Sequence, residues 1–305
     1  MIGAMIWWSD MRVILPAAKP LGKLVRNAAS GQDAPMTDNA PPRIFAPSRR
    51  IAARQRMARL RHHGPVAQAI ARETANDAID RIGFVRGDFG KALVIGDTTN
   101  RLSDDLAAQG TQVTRADPAP GLADVHLDEE RPLPGGPYDL IVSLGLLDTV
   151  NDLPGALILM RRALNAGGLM IASFLGAGSL PALRNAMAAA DADRPAPRIH
   201  PQVDVRAAGR LMNRLGFESP VVDGWHFEVA FDSLEQLVGD LRAQAAGNVL
   251  RNAGPPLGKA ALLRARDAFA GQADDSGLVR ERFEIVTLSG WSAAPQAGPH
   301  SPIPQ

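Results

Sequence analysis

Residues 91–110 read KALVIGDTTNRLSDDLAAQG, and this stretch decides the fold. Ala92, Leu93, Val94 and Ile95 form a short apolar run with β-branched members, the length of a buried strand rather than of a helix. Gly96 follows as a turn, and from Arg101 the pattern becomes a short helix that Gly110 closes as a C-cap. Many nucleotide-binding sheets open in this way, because the unpaired N–H groups and positive dipole end of a helix start receive a phosphate or carboxylate. The turn reads Gly96-Asp97-Thr98-Thr99-Asn100, with one glycine where such loops often carry two or three. Neither GxGxxG nor GxxxxGK[ST] occurs, so neither a dinucleotide nor a P-loop is indicated.

Downstream, strand and helix signals alternate. TQVTRAD (111–117) is a second strand ending in Asp117, and YDLIVSLGLLD (138–148) is another buried one. DLPGALILMRRALNAGG (152–168) is an amphipathic helix closing on two glycines, and LMIASFLG (169–176) a further strand. This alternation predicts an α/β chain with a mostly parallel, Rossmann-like sheet covered by helices on both faces. After residue 176 helices are expected at 179–193, at 203–217 with Gly216 as its cap, at 232–250, and at 259–271 beyond a glycine-proline loop. The segment 278–291, LVRERFEIVTLSGW, alternates as a strand.

Upstream, GPVAQAIARETANDAIDRIG (64–83) has helical spacing. Before it, residues 41–61, PPRIFAPSRRIAARQRMARLR, are dense in arginine and good helix formers, with Ser48 placed to cap the start. This basic helix is either a solvated surface or a face for an acidic protein partner. The expected organisation is a disordered or mis-annotated extension over 1–40, with Met36 as an alternative start, and a basic helical segment over 41–90. A cofactor-binding core over 91–176 and a helical, substrate-side part over 177–292 that completes the sheet follow, then a loose proline-rich tail over 293–305.

Composition narrows the function. The 305 residues carry a formal net charge of +1, which indicates neither a nucleic-acid nor a membrane partner. There is no cysteine, which removes disulfides, thiolate metal sites and a catalytic thiol, and fits a reducing cytoplasm. The histidines form no HExxH-like pair, so no metal is expected. No apolar run approaches the roughly 18–20 residues of a membrane-spanning helix.

The chemistry-bearing residues gather at the expected carboxyl edge of the sheet. Asp117 ends the second strand about 20 residues after the turn, where an acid accepts hydrogen bonds from ribose hydroxyls. Asp148 is a general base, a carboxylate for a substrate guanidinium, or simply a loop acid. Asp152 stands before LPGAL as an N-cap.

The run HLDEERPLPGGPYDLIVS, the amphipathic helix and the double glycine before a strand together resemble the class I S-adenosylmethionine-dependent methyltransferases. IFAPSRR, VNDLPGAL, GDLR followed by GNVLR, and FEIVTLSGW are more specific. They resemble the branch that contains the biotin-pathway malonyl-carrier-protein methyltransferases and the arginine-hydroxylating assembly factors of respiratory complex I. The resemblance covers roughly 43–292 and implies S-adenosylmethionine as cofactor. It implies Gly96 and Asp97 at the methionine-side turn, Asp117 on the ribose, Asp128 with Glu129 beside it on the adenine, and Ser143 close by. Thr98 and Asn100 stand in place of the family's later glycines, Val94 in place of an acid, and Asp148-Thr149 in place of a His-Trp pair. The implied functions are methyl transfer to an unknown acceptor, hydroxylation of arginine in a complex I subunit during assembly, or a binding role on a retained fold.

Overall fold

The computed structural model describes residues 43–64, 67–85 and 87–293, so the expectations for residues 1–40 and for the tail beyond Ala293 lie outside it. Seven strands form one sheet: β1 (Lys91–Ile95), β2 (Gln112–Asp117), β3 (Val125–His126), β4 (Tyr138–Leu144), β5 (Leu164–Leu175), β6 (Glu218–Phe231) and β7 (Val279–Trp291). Their order is β3-β2-β1-β4-β5-β7-β6. The first five run parallel, while β7 lies antiparallel between β5 and β6. The middle strands carry continuous apolar runs because both their faces are covered, as parallel sheets require. Leu93, Ile95, Ile141 and Met170 turn to one face and Ala92, Val94, Leu140 and Ile171 to the other.

On the first face lie α4 (Leu153–Arg162) and α6 (Val205–Arg214), through Leu157, Met160, Ala208 and Met212. On the second lie α2 (Ala69–Val85) and α3 (Arg101–Ala108), through Ala75, Ala78, Ile82, Leu102 and Leu106. A third apolar cluster joins α5 (Pro181–Ala190), α7 (Leu234–Ala243) and α8 (Lys259–Ala270) to the far halves of β6 and β7. There Phe227 stacks on its cross-strand partner Phe283 at 5.2 Å. Buried Glu281 fixes the entry to α5, accepting from the backbone N–H groups of Ala182 and Leu183 at 3.1 and 2.8 Å.

Several boundaries differ from those expected. The strand from Tyr138 ends at Leu144, since Gly145 turns left-handed (φ +65°) and a short 3₁₀ turn, Leu147–Thr149, follows. Helix α4 stops at Arg162 and the double glycine lies inside β5. Helix α7 ends at Ala243, well short of residue 250. β6, fourteen residues long, had no counterpart in the expected elements; its residues are mostly half-exposed, which dilutes its apolar signal. Asp152 does cap α4, accepting from the N–H of Gly155 at 2.9 Å.

Helix α1 (Pro47–His62) crosses the carboxyl ends of β1, β2 and β4. Ser48 does not cap it: Ala46 holds the N-cap position and Pro47 opens the helix, with φ already suited to it. Just before it Phe45 is buried against Val249 and Leu250, and its ring meets that of His200 edge-on at 5.3 Å.

Candidate active site

The site is the edge formed by the turns after β1, β2 and β4, where α/β sheets bind ligands. Gly96 has φ +81°, and a Cβ there would lie 2.6 Å from the carbonyl oxygen of Leu144, so the β1 turn admits only glycine. Asn100, standing in place of a glycine, takes the left-handed conformation (φ 58°), which asparagine tolerates better than most residues. Asp97 does not point into a ligand space. Its Oδ2 accepts from the N–H and hydroxyl of Ser103, both at 2.9 Å, and its Oδ1 from the Thr99 hydroxyl at 3.0 Å. The negative charge therefore caps the start of α3, where the helix dipole favours it.

Asp117 is 3% exposed and fully engaged. Arg54 of α1 grips it bidentately, with Nε to Oδ1 at 2.8 Å and Nη2 to Oδ2 at 2.5 Å, and the N–H of Ala119 donates to Oδ1 at 2.8 Å. Asp128 is exposed, and among the described residues its side chain accepts only from the N–H of Glu130. The buried acid of that pair is Glu129, 0% exposed, held by Arg50 through Nη1 at 2.9 Å and Nη2 at 2.5 Å. Arg50 also donates to the Thr149 hydroxyl and the Leu146 carbonyl. Burial pulls the Arg50 pKa down, but the Glu129 charge more than offsets this and leaves it raised. Arg61 reaches the β1 turn, donating to the carbonyl and, at 3.0 Å, to the hydroxyl of Thr98. Burial lowers its pKa, helped by the nearby charge of Arg54. Ser143 is buried on β4, and its Oγ has no hydrogen-bond partner among the described residues.

Beyond these pairs a cavity of about 750 Å³ opens. Its floor at the sheet edge is Gly96, Thr98, Leu144, Gly145, Asp148 and Thr149, closed on one side by Arg49, Arg50 and Arg54. Its far wall is largely apolar: Leu180, Leu183 and Met187 from α5, Val238 and Leu241 from α7, and Leu257 and Leu262. His200 lines it, with Nε2 accepting from the N–H of Val249 at 2.9 Å, which assigns the ring proton to Nδ1. Burial lowers the His200 pKa to about 4.

Asp148 lines this cavity, and its Oδ1 is buried and has no partner among the described residues. Burial pushes its pKa up to about 7, against the opposing pull of Arg50. The sequence singled out Gly96, Asp97, Asp117, Asp128, Glu129, Ser143 and Asp148. The structure gathers Gly96, Asp117, Glu129 and Asp148 around α1, turns Asp97 onto α3 and leaves Asp128 outside. It adds Arg50, Arg54 and Arg61. Their signal was present as the spacing of Arg50, Arg54, Met57 and Arg61, a single stripe along the helix, but arginine is not expected on a buried stripe.

A sheet of order 3-2-1-4-5-7-6 with its seventh strand antiparallel, and with acids at the ends of its second strand and near its third, is the Rossmann-like fold of class I methyltransferases. The chain belongs to the methyltransferase domain family, whose model matches residues 67–220. It is 25% identical over 306 residues to the mouse protein "Arginine-hydroxylase NDUFAF5, mitochondrial", covering 92% of this chain and 89% of that one. It is 26% identical over 254 residues to the malonyl-[acyl-carrier protein] O-methyltransferase of Laribacter hongkongensis, covering 75% and 84%. A putative methyltransferase from Bacillus halodurans superposes with a TM-score of 0.48 at 11% identity, over 71% of this chain and 99% of that one. No helix among the described residues is long and apolar enough to cross a membrane.

Two outcomes are expected. Asp117→Ala leaves the Arg54 guanidinium buried and unpaired and lowers unfolding free energy by about 3–5 kcal/mol. Arg54→Met with Asp117→Leu costs much less, and urea titration of the two variants separates the cases. Asp148 makes stability depend on pH. Its raised folded pKa gives stability that is complete below the ordinary carboxylate value near 3.8 and is lost as pH rises through about 7. The stability of Asp148→Asn relative to wild type therefore grows between about pH 4 and 7 and levels off above, as read from urea midpoints across that range.

Proposed function

We propose that the chain binds S-adenosylmethionine at the β1-β2-β4 edge and transfers its methyl group to an acceptor seated in the adjoining cavity. When bound, this cofactor supplies an electrophilic methyl on a sulfonium. The residue types at the edge fit it: the Gly96 turn for the methionine part, the Asp117 carboxylate for the ribose hydroxyls, and the acidic stretch at Asp128 and Glu129 for the adenine. The observation that carries the reading is Asp148, a cavity-lining carboxylate whose Oδ1 has no partner among the described residues and whose pKa lies near 7. A base poised near the working pH takes a proton from an acceptor hydroxyl or nitrogen as the methyl moves. The apolar far wall excludes water and positions the acceptor, and alignment is most of what methyl transfer needs.

A second reading is protein-arginine modification in respiratory complex I assembly. It is supported by the match over 92% of this chain to the mouse arginine hydroxylase. On this reading the Asp148 carboxylate at the cavity wall accepts a substrate guanidinium, and the protein partner enters by the same cavity. A cytoplasmic setting suits both readings.

Calorimetric titration of the full chain with S-adenosylhomocysteine is expected to show saturable binding. Turnover with an acceptor is expected to rise with pH through about 7. Asp148→Asn should lose roughly 10²-fold in kcat, the scale of a general base, and lose the pH step. Absence of binding up to millimolar ligand would sink the cofactor reading.

A further inference from the structure

Helix α1 is an unusual element in that its two buried residues are Arg54 and Met57. It contains Arg49, Arg50, Arg54, Arg56, Arg59 and Arg61 and no acidic residue. A basic helix on a protein surface turns its arginines to water. Here Arg56 and Arg59 do so and Arg49 donates to the Leu250 carbonyl at 3.0 Å, but Arg50, Arg54 and Arg61 point inward with Met57 between them. These four recur at the i, i+4, i+7, i+11 spacing that normally carries the apolar stripe of an amphipathic helix. Each inward arginine meets a different part of the edge. Arg54 takes both oxygens of Asp117, Arg50 both oxygens of Glu129, and Arg61 the Thr98 carbonyl of the β1 turn.

A bound nucleoside needs these same groups. A ribose diol donates to the two Asp117 oxygens, which already accept from Arg54 and from the N–H of Ala119. A carboxylate held bidentately by a guanidinium has little left to offer a neutral hydroxyl, because the charge-assisted pair is the stronger one. We propose that α1 is an internal competitor of the cofactor: Arg54 and Arg50 occupy the carboxylates that adenosine requires, so docking of α1 and binding of the cofactor exclude one another. The inference rests on the cofactor reading above and adds the residues that set its affinity.

The manner of attachment makes exchange feasible. A helix held by an apolar stripe loses its hydrophobic stabilisation when it leaves. A helix held by buried ion pairs returns its guanidiniums to water, and recovered hydration offsets much of the lost pairing. Upstream, Phe45 stays anchored against Val249 and Leu250, with the N–H of Ala46 donating to the Val249 carbonyl at 3.0 Å. This hydrophobic tether, against which Ala53 also packs and where Arg49 donates to the Leu250 carbonyl, is distinct from the contacts of Arg50, Arg54 and Arg61. Thermodynamic reciprocity then requires that whatever draws α1 from the edge raises cofactor affinity, and that cofactor loosens α1 by the same factor.

The test is calorimetric titration of S-adenosylhomocysteine into the full wild-type chain, into Arg54→Gln and into Arg50→Gln/Arg54→Gln, with hydrogen exchange of residues 47–62 in the wild type with and without ligand. At least tenfold tighter binding in the double variant is expected, together with faster exchange of 47–62 in the liganded wild type and slower exchange of 93–100. Equal or weaker binding in folded variants overturns the competition and leaves the cofactor reading standing. Should the variants fail to fold, ligand-induced protection of 47–62 in the wild type overturns it equally. No binding by wild type or variants removes both readings together.

Discussion

The pairing of Arg54 with Asp117 is the contact on which the arrangement of this edge depends. Asp117 ends β2 beside the β1 turn, and its carboxylate lies in a nearly dry environment. A charge there must find a counter-charge or be lost to protonation. Arg54 supplies it from a helix 63 positions earlier in the chain. Once that pair is made, the helical repeat puts Arg50 one turn back, over Glu129, and Arg61 two turns on, over Thr98. One ion pair thus fixes the register of α1 and, through it, what covers the whole ligand edge.

Much of the fold was legible because buried parallel strands announce themselves. The runs at 92–95, 140–142 and 169–172 are apolar, since both their faces are covered, and turn residues bound the strands. β6 was not legible for the converse reason. It is the outer strand of an antiparallel pair, and Glu218, Asp223, His226 and Glu228 interrupt its apolar positions. Its place is set by β7, whose Phe283 and Ile285 lie opposite Phe227 and Trp225. That is a long-range pairing with no local trace.

The site was legible by halves. The positions of Gly96 and Asp117 followed from strand ends, and Asn100 from its tolerance of positive φ. The direction of Asp97 did not follow, because the choice between a ligand space and the N–H groups of α3 depends on how far the helix start tilts toward the side chain. Asp148 was visible only as an acid in a loop. Its role needs the cavity, and the cavity is built by α5, α7 and the segment at 253–257, distant in sequence from β4. The arginines were read as a charged surface because burial of arginine depends on partners that lie 37 to 99 positions away.

The altered β1 turn and the arginine stripe answer to a single constraint. A loop with several glycines can wrap closely around a ligand's carboxylate and present many N–H groups to it. Here one glycine remains. Asp97 has been drawn into the start of α3, and the carbonyl of Thr98 faces outward to accept from Arg61. An outward carbonyl repels an anion and attracts a cation, so the turn as built favours guanidinium over carboxylate. The same preference holds at Asp117 and Glu129. The edge has become a consistent acceptor of positive charge along its whole length, and α1, with no acid of its own, is the complementary donor. The sparse glycines of the turn and the arginines on one stripe of the helix are therefore complementary: an edge that accepts positive charge faces a helix that supplies it.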